Sequence, residues 1–563
     1  MPNQSVSFNL VIEPWIQVER LDGSTGKLGL LALFKDAHNL RGISGELPQM
    51  QFATLRLCEA IMYRAFGAPG TSEEEARDLW RELWELGRFP SEEISAYLDE
   101  YRDGFDLFGE KPFYQVRGLV YAAAEPSSIS SLMPDIPKQD KALFAMRSIR
   151  YADSLSFDEA ARYLLIEQGY DTSGIKTPVE GNTHVNKGKV YPPKGLPGTG
   201  WCGSIGGTFV EGRNLFETIM LNWVLADDRG GERGLFGIEE DCPPWERDDI
   251  GPDMKECEPA GPVQVLTWQN RRIRLIPNGD GTCVKGVVLC YGDTMKPIDK
   301  QGLEMMTPWR RSEQQQKKWS LPYIPLMAKK HDPNRSIWRG LSSLVAIDNE
   351  DVAGQSDLRP GVIRWIESLE SAGVLDGNQV MSIRAQGMEY GTQDSVFTDS
   401  VDDSLSLHAM MLRHDGEATS KTVEVIAQTD QAVGALIRFV QNILIAQGDR
   451  RRYTAMGDSV AGAVRQDIST RAYDELDALF RSRIARFTPQ QDVYDYCASW
   501  LREAHRILLG IGESYLAESD VSLFSGGQMP AGRALELFRF SLNKLLGPLT
   551  ATSESESARI VEK

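Results

Sequence analysis

Long apolar runs, paired cysteines and histidine clusters are all missing from this 563-residue chain. No stretch approaches the roughly 18 consecutive apolar residues of a membrane span. The opening segment has no basic region followed by an apolar run, so no export signal is expected. The seven cysteines (Cys58, Cys202, Cys242, Cys257, Cys283, Cys290 and Cys497) form no CxxC, and their odd number suits reduced thiols and a cytoplasmic location. A zinc site from Cys242, Cys257, Cys283 and Cys290 would lack the usual short ligand spacings, so buried free thiols are the better reading. Six histidines are present and none forms an H-E-x-x-H helix. His331 and His505 stand alone. No GxxxxGK[ST] phosphate cradle occurs, and no GxGxxG follows a strand. Gly457-Asp458-Ser459-Val460-Ala461 departs from a nucleophile elbow at its last position, and Asp458 or Ser459 reads as a helix N-cap. Nothing compels an active site, and no enzyme or cofactor is expected.

What is there is ordinary for a globular protein: 41% hydrophobic and 25% charged residues, in a length that suggests several folding units. With 61 basic and 80 acidic residues the net charge is −19. That weighs against binding naked nucleic acid by bulk electrostatics but leaves room for a basic patch or for binding within a larger assembly. Alternation through Phe8, Leu10 and Ile12, then Ile16 and Val18 before the turn Asp22-Gly23, predicts an opening hairpin. Helices are predicted around Phe52–Met62, over Ser72–Leu86 with an acidic first turn, near Phe157–Gln168 and over Asn214–Leu225. The rest of Gly118–Gly212 is rich in Gly, Pro, Ser, Asn and Lys and reads as long functional or disordered loops. Strands are predicted near Val263–Trp268, Ile273–Ile276 and Val284–Cys290. Beyond residue 400 the pattern turns helical. Val433/Leu436/Val440/Leu444, Tyr473/Leu476/Phe480/Ile484, Val493/Cys497/Trp500/Leu508 and Ala531–Leu546 give four amphipathic stripes. The fold class is therefore α+β: a mixed N-terminal domain, 1–400, and a C-terminal four-helix bundle, 401–563. The boundary is placed in the polar run Thr398–Ser404, and the tail Thr552–Ser557 reads as frayed.

Basic and aromatic residues interleave from Trp309-Arg310-Arg311 through Lys317-Lys318-Trp319 to Lys329-Lys330, Arg335 and Trp338-Arg339. Such a mixture can hold phosphates and stack on bases. A solvated basic face whose tryptophans lie in the core is an equal alternative. Arg450-Arg451-Arg452 has the same ambiguity.

The segment Phe8–Val18 (FNLVIEPWIQV) resembles the N-terminal signature of CasA, the large subunit of the type I-E CRISPR surveillance complex Cascade. The resemblance continues through Phe105–Val116 (FDLFGEKPFYQV), Ala161–Lys176 (ARYLLIEQGYDTSGIK) and Gly200–Asn222, then the Trp309-Arg310-Arg311 segment and the C-terminal bundle. It covers nearly the whole chain. It implies a non-catalytic subunit that reads the short motif beside the target (the PAM), helps open the duplex and recruits a helicase-nuclease. Base pairing to the guide RNA reads the rest of the target. The implied partners are the other Cascade subunits, the guide RNA, double-stranded target DNA and that helicase-nuclease, with no membrane.

The resemblance also implies site residues. Gly174, in Ser173-Gly174-Ile175-Lys176, matches a glycine loop that approaches the motif from the minor groove, where a missing side chain lets backbone near a base edge, and Lys176 of the same loop is expected to contact the DNA with it. Thr392 and Gln393 match a hairpin wedge that parts the first base pairs; Thr392 departs from the asparagine often found there. Lys296 and Lys300 are both candidates for a lysine finger. A loop at about Phe144–Leu155, with Phe144, Arg147 and Arg150, matches a segment that contacts the guide's 5′ end and docks the subunit. Some relatives carry two zinc-binding cysteine pairs; Ser154–Phe157 replaces one and the other has no counterpart, so no metal is expected.

Overall fold

A computed structural model describes residues 6–67, 72–134, 152–226, 240–248, 250–345, 358–413, 416–447, 459–488, 490–519 and 529–549. Phe144, Arg147, Arg150, Arg450–Arg452, Gly457-Asp458 and Thr552–Ser557 lie outside these residues. The protein is mixed α/β with small sheets and C-terminal helices. It divides into two compact units, Met1–Arg335 with Ile347–Ser404, and Ser336–Ala346 with Leu405–Lys563. The polar run Thr398–Ser404 is part of a strand, Phe397–His408. The short segment Ser336–Ala346 groups with the later helices although it lies far upstream in sequence.

In the first unit, Ile16–Arg20 is the central strand of a three-stranded antiparallel sheet, with Thr25–Leu28 on one side and Leu40–Ile43 on the other. Phe8–Ile12, predicted to extend this hairpin, is instead a turn. The Asn9 side chain accepts from the Val11 N–H at 3.1 Å and its carbonyl accepts from Glu13 at 2.9 Å. Such an Asx turn competes with strand pairing. It buries Leu10 under Trp15, whose indole donates to the Leu10 carbonyl at 3.0 Å.

A second sheet pairs Arg271–Pro277 with Val284–Tyr291, with Ser127–Ser128 on the outer edge. Val288, Cys290 and Tyr291 share a core with Val116, Leu119, Tyr121, Val179 and Val190, which gives the long irregular region a packed underside. Val263–Trp268, predicted as strand, is overlapped by a short helix, Pro262–Leu266. Pro262 fits the first helical turn. The Asp241 carboxylate accepts from the Val263 and Gln264 N–H groups at 2.9 and 2.8 Å, a cap supplied from a different part of the sequence.

The helix Pro48–Phe66 runs through the centre of this unit. Its Arg56 pairs with Glu304 through two 2.9 Å hydrogen bonds with both side chains buried, and Trp201 donates to Glu304 at 2.7 Å. Removing one partner of such a buried pair costs about 3–5 kcal/mol.

In the second unit four helices, Glu417–Ala446, Ser459–Ile484, Val493–Glu518 and Ala531–Leu546, pack on one another. Phe439 stacks on Phe538 at 4.8 Å, and Trp500 donates to the Thr429 hydroxyl at 3.0 Å. Trp338, contributed by the upstream segment, stacks on Phe480 at 4.5 Å and donates to Asp477 at 2.8 Å. Trp338 and Trp309 are both fully buried. The basic-aromatic cluster is therefore divided between the two units, and these two tryptophans are core residues.

Glu59 is buried in the helix Pro48–Phe66 and neither carboxylate oxygen has a hydrogen-bond partner among the described residues. Burial raises its pKa well above the ordinary value of 4.5. The unfolded chain gives up this proton first as pH rises, so the folded state loses stability progressively above that value. Glu59→Gln is expected to raise the melting temperature at neutral pH, with a gain that grows between pH 5 and pH 8. Thermal unfolding at several pH values measures it; a gain that is flat or shrinks with pH would contradict the assignment.

Candidate nucleic-acid interface

Two segments far apart in sequence meet on the first unit. The first follows the helix Phe157–Tyr170, whose N-terminus carries a Ser156–Glu159 capping box. At its end Asp171 is buried and pairs with both Arg271 and Lys176. Arg271 also donates to the Gly198 carbonyl at 2.8 Å and to the Asp171 and Thr172 carbonyls at 3.3 Å. Tyr291 lies under the Arg271 guanidinium, 4.8 Å from its ring centroid, and donates to the Gly174 carbonyl at 2.7 Å. Thr172–Gly174 is thereby held from beneath. Burial opposes ionisation of Asp171, but the charges of Arg271 and Lys176 outweigh it and hold the carboxyl well below its usual range. Neighbouring Glu167 is pushed the other way by burial and by the Asp171 charge.

The second segment is the tip of the hairpin formed by Val380–Tyr390 and Phe397–His408. Val380–Tyr390 is the central strand of a sheet whose other edge is Gly207–Glu211. Arg384 braces the sheet, with Asp402 at 2.8 Å on one side and Glu211 at 3.0 Å on the other. At the tip Gly391 donates to the Val396 carbonyl at 2.9 Å, and Gln393 and Asp394 have φ of 57° and 52°. Left-handed backbone is uncommon for residues other than glycine, and here it occurs twice in succession. Thr392, Gln393 and Asp394 are exposed, and the Gln393 side chain has no hydrogen-bond partner among the described residues.

The Ser173 N–H donates to the Asp394 carbonyl at 2.7 Å, which places Gly174 and the hairpin tip side by side. Tyr390, at the root of the tip, donates to the Tyr170 carbonyl at 2.7 Å, and Lys330 lies over its ring at 4.9 Å. Sequence reasoning did not find Asp171, Arg271, Tyr291 or Tyr390; only the fold brings them together.

The lysines separate by environment. Lys300 is buried and pairs with Glu258 at 2.5 Å. Lys296 is exposed, its ammonium 5.4 Å from the Trp319 ring centroid. Lys318 lies over the same ring at 5.6 Å, and a Cβ on Gly195 would sit 3.9 Å from the Lys318 side chain. Lys176 is spent on Asp171, with its side chain largely buried. His331 is half-buried and bonded to the Gly207 carbonyl at 3.0 Å, and loss of solvation lowers its pKa to about 4. His505 bonds the Gly547 carbonyl at 2.7 Å. Among the described residues no His, Cys, Asp and Glu cluster could hold a metal ion, and no helix is long and apolar enough to cross a membrane.

The mixed α/β first unit thus sets a loop that presents backbone beside an exposed hairpin tip with left-handed residues. Residues 9–511 match the family of the CRISPR-associated protein Cse1, and the chain belongs to that family. It is 25% identical over 437 residues to the CasA/Cse1 protein of Thermus thermophilus, covering 75% of this chain and 78% of the relative. The crystal structure of Thermobifida fusca Cse1 superposes with a TM-score of 0.85 at 33% identity, covering 96% of this chain and 98% of that one. Cse1 from Acidimicrobium ferrooxidans gives a TM-score of 0.77 at 27% identity with the same coverage. A chain of a CRISPR RNA-guided surveillance complex shares the fold, with a TM-score of 0.69 at 18% identity over 95% of this chain and 99% of that one.

The glycines of the site answer different demands. A Cβ on Gly200 would collide with the backbone of Gly169 and Tyr170, so the fold itself requires glycine there. A Cβ on Gly174 would meet nothing within 4 Å, and its φ is not left-handed. Gly174→Ala is expected to change unfolding free energy by less than about 0.5 kcal/mol, as at an unconstrained surface position. Gly200→Ala should cost several times more, in the range of about 1–3 kcal/mol or above for overpacking. Denaturant unfolding of the two variants makes the comparison.

Proposed function

We propose that this chain is the non-catalytic large subunit of a CRISPR RNA-guided surveillance complex, and that it reads the short motif beside a double-stranded DNA target and helps open the duplex there. The observation that carries the reading is the Ser173–Asp394 hydrogen bond, which sets the Gly174 backbone next to the exposed Gln393 tip. Gly174 is a glycine that the protein's own packing does not need, which fits clearance for a ligand. In this reading the Gly174 backbone faces the minor groove, where the degenerate pattern of base edges permits several related motifs. The tip carrying Thr392 and Gln393 enters below the motif. Unstacking a base step costs a few kcal/mol, offset by new contacts and by pairing with the guide. Lys296, exposed and close to Trp319, serves as the finger in preference to the ion-paired Lys300. Lys176 supports the loop through Asp171 and does not itself reach DNA. Phe144, Arg147 and Arg150 belong to the guide-end docking loop, residues 401–563 form the bundle domain, and the assembled complex recruits the helicase-nuclease after target binding.

The test uses the reconstituted complex, a guide-matched duplex and a library of flanking motifs. Wild type is expected to select a subset of motifs. Gln393→Ala should keep assembly and lose most target opening, read by fluorescence of a base analogue beside the motif. Lys296→Ala should weaken motif-dependent binding by a larger factor than Lys300→Ala. Equal binding to every flank by a fully assembled wild-type complex would instead make this subunit a scaffold.

A further inference from the structure

Acidic residues make up 80 of 563 positions, roughly one in seven, yet none occurs between Glu180 and Glu211. That acid-free stretch carries Lys187, Lys189 and Lys194, all exposed and none paired with a carboxylate among the described residues. It begins as a two-stranded ribbon, Val185–Asn186 against Lys189–Val190. The turn residues Lys187 and Gly188 have φ of 50° and 71°, the two left-handed positions that a tight two-residue hairpin turn requires. The ribbon is fixed at its base. Thr183 bonds both oxygens of Asp253 at 2.9 Å, and His184 approaches the same carboxylate at 3.2 Å. Val190 is buried in the core cluster shared with Val179 and Tyr291.

The ribbon is also joined to the Gly174 loop. Lys176 and Val190 exchange backbone hydrogen bonds of 2.9 and 3.0 Å. Further along the same stretch Gly198 packs beneath Ser173, and Gly195 borders Lys318. Unpaired lysines therefore flank the loop in a protein whose net charge is −19.

We infer that Lys187, Lys189 and Lys194 form a phosphate-contacting arm that grips the backbone of the target duplex beside the motif. The inference rests on the proposed function and extends it: the arm supplies sequence-independent affinity and register, while Gly174 and Gln393 supply discrimination and opening. Phosphate contacts position a protein on a duplex without carrying sequence information, and each releases counterions.

The experiment measures binding of the reconstituted complex to guide-matched duplexes at a series of salt concentrations, with and without a selected motif. The variant is Lys187→Asn, Lys189→Gln and Lys194→Gln together; asparagine tolerates the left-handed backbone at position 187. Binding is expected to weaken on every flank, and the slope of log affinity against log salt should become shallower by about one unit for each phosphate no longer held. The ratio between good and poor motifs should stay as in wild type. Unchanged affinity and slope would overturn the inference. So would loss of the variant from the purified complex, which would place the lysines against guide RNA or another subunit. The double variant Lys189→Gln, Lys194→Gln leaves the turn untouched and decides the matter should the triple variant fold poorly. A wild-type complex without motif preference would refute the reading of Gly174 and Gln393, while the salt slope would still decide the lysines.

Discussion

Asp171 holds the candidate interface together. Its buried carboxylate pairs with Arg271 and Lys176, and Arg271 spreads that anchorage to the carbonyls of Thr172 and Gly198. Burying these charges is costly, and a well-packed apolar replacement could be as stable. What the apolar replacement could not do is hold two separate stretches of irregular backbone, Asp171-Thr172 and Gly198, by their carbonyls. Glu167 sharpens the arrangement: its own ionisation is suppressed by burial and by Asp171, so negative charge is concentrated where both cations can reach it. The loop that presents Gly174 thus owes its shape to a polar core, since it has few apolar side chains of its own.

That polar core explains the glycine content of the surrounding stretch. Gly200 lets two backbone segments touch, and Gly203 makes room for the Tyr390 hydroxyl that ties the hairpin root to Tyr170. These glycines serve internal packing. Gly174 differs, because open space lies where its side chain would be. The contrast separates glycines that build the platform from one that leaves it bare, and it comes from geometry that composition alone does not hold.

Periodic features were readable in the sequence because their signals are local. The stripe Tyr473, Leu476, Phe480 and Ile484 falls on one buried helix face, and Ser72 with Glu75 marks the start of Glu73–Leu86 as a capping box should. Departures arose where a polar side chain, distant or local, captures backbone N–H groups. Asp241 turns Pro262–Leu266 into helix from another part of the chain, and Asn9 bends what alternation reads as strand. The basic-aromatic run was undecidable by pattern, since Trp338 leaves the first unit altogether to stack on Phe480. Gly174, Gln393 and the lysine candidates came from the family resemblance, and the Asp171 network beneath them was invisible because Arg271 and Tyr291 lie about a hundred residues downstream. Choosing between Lys296 and Lys300 needed Glu258, a partner that no spacing rule would nominate.

The charge distribution has its own logic. A protein with net charge −19 repels duplex DNA at long range, so weak encounters with non-target DNA by the free subunit are suppressed. At contact distance the balance reverses. Salt screens charges beyond about 8–10 Å, so in the proposed reading a duplex seated on the ribbon feels chiefly the charges close to it, where Lys187, Lys189 and Lys194 outnumber the Asp253 carboxylate at the ribbon base. In the proposed reading, attraction then acts only after something else has brought the duplex into register. Placing the lysines on a ribbon bonded to the Gly174 loop makes positional fit and electrostatic gain coincide, because a duplex displaced by more than a screening length from that loop would lose both.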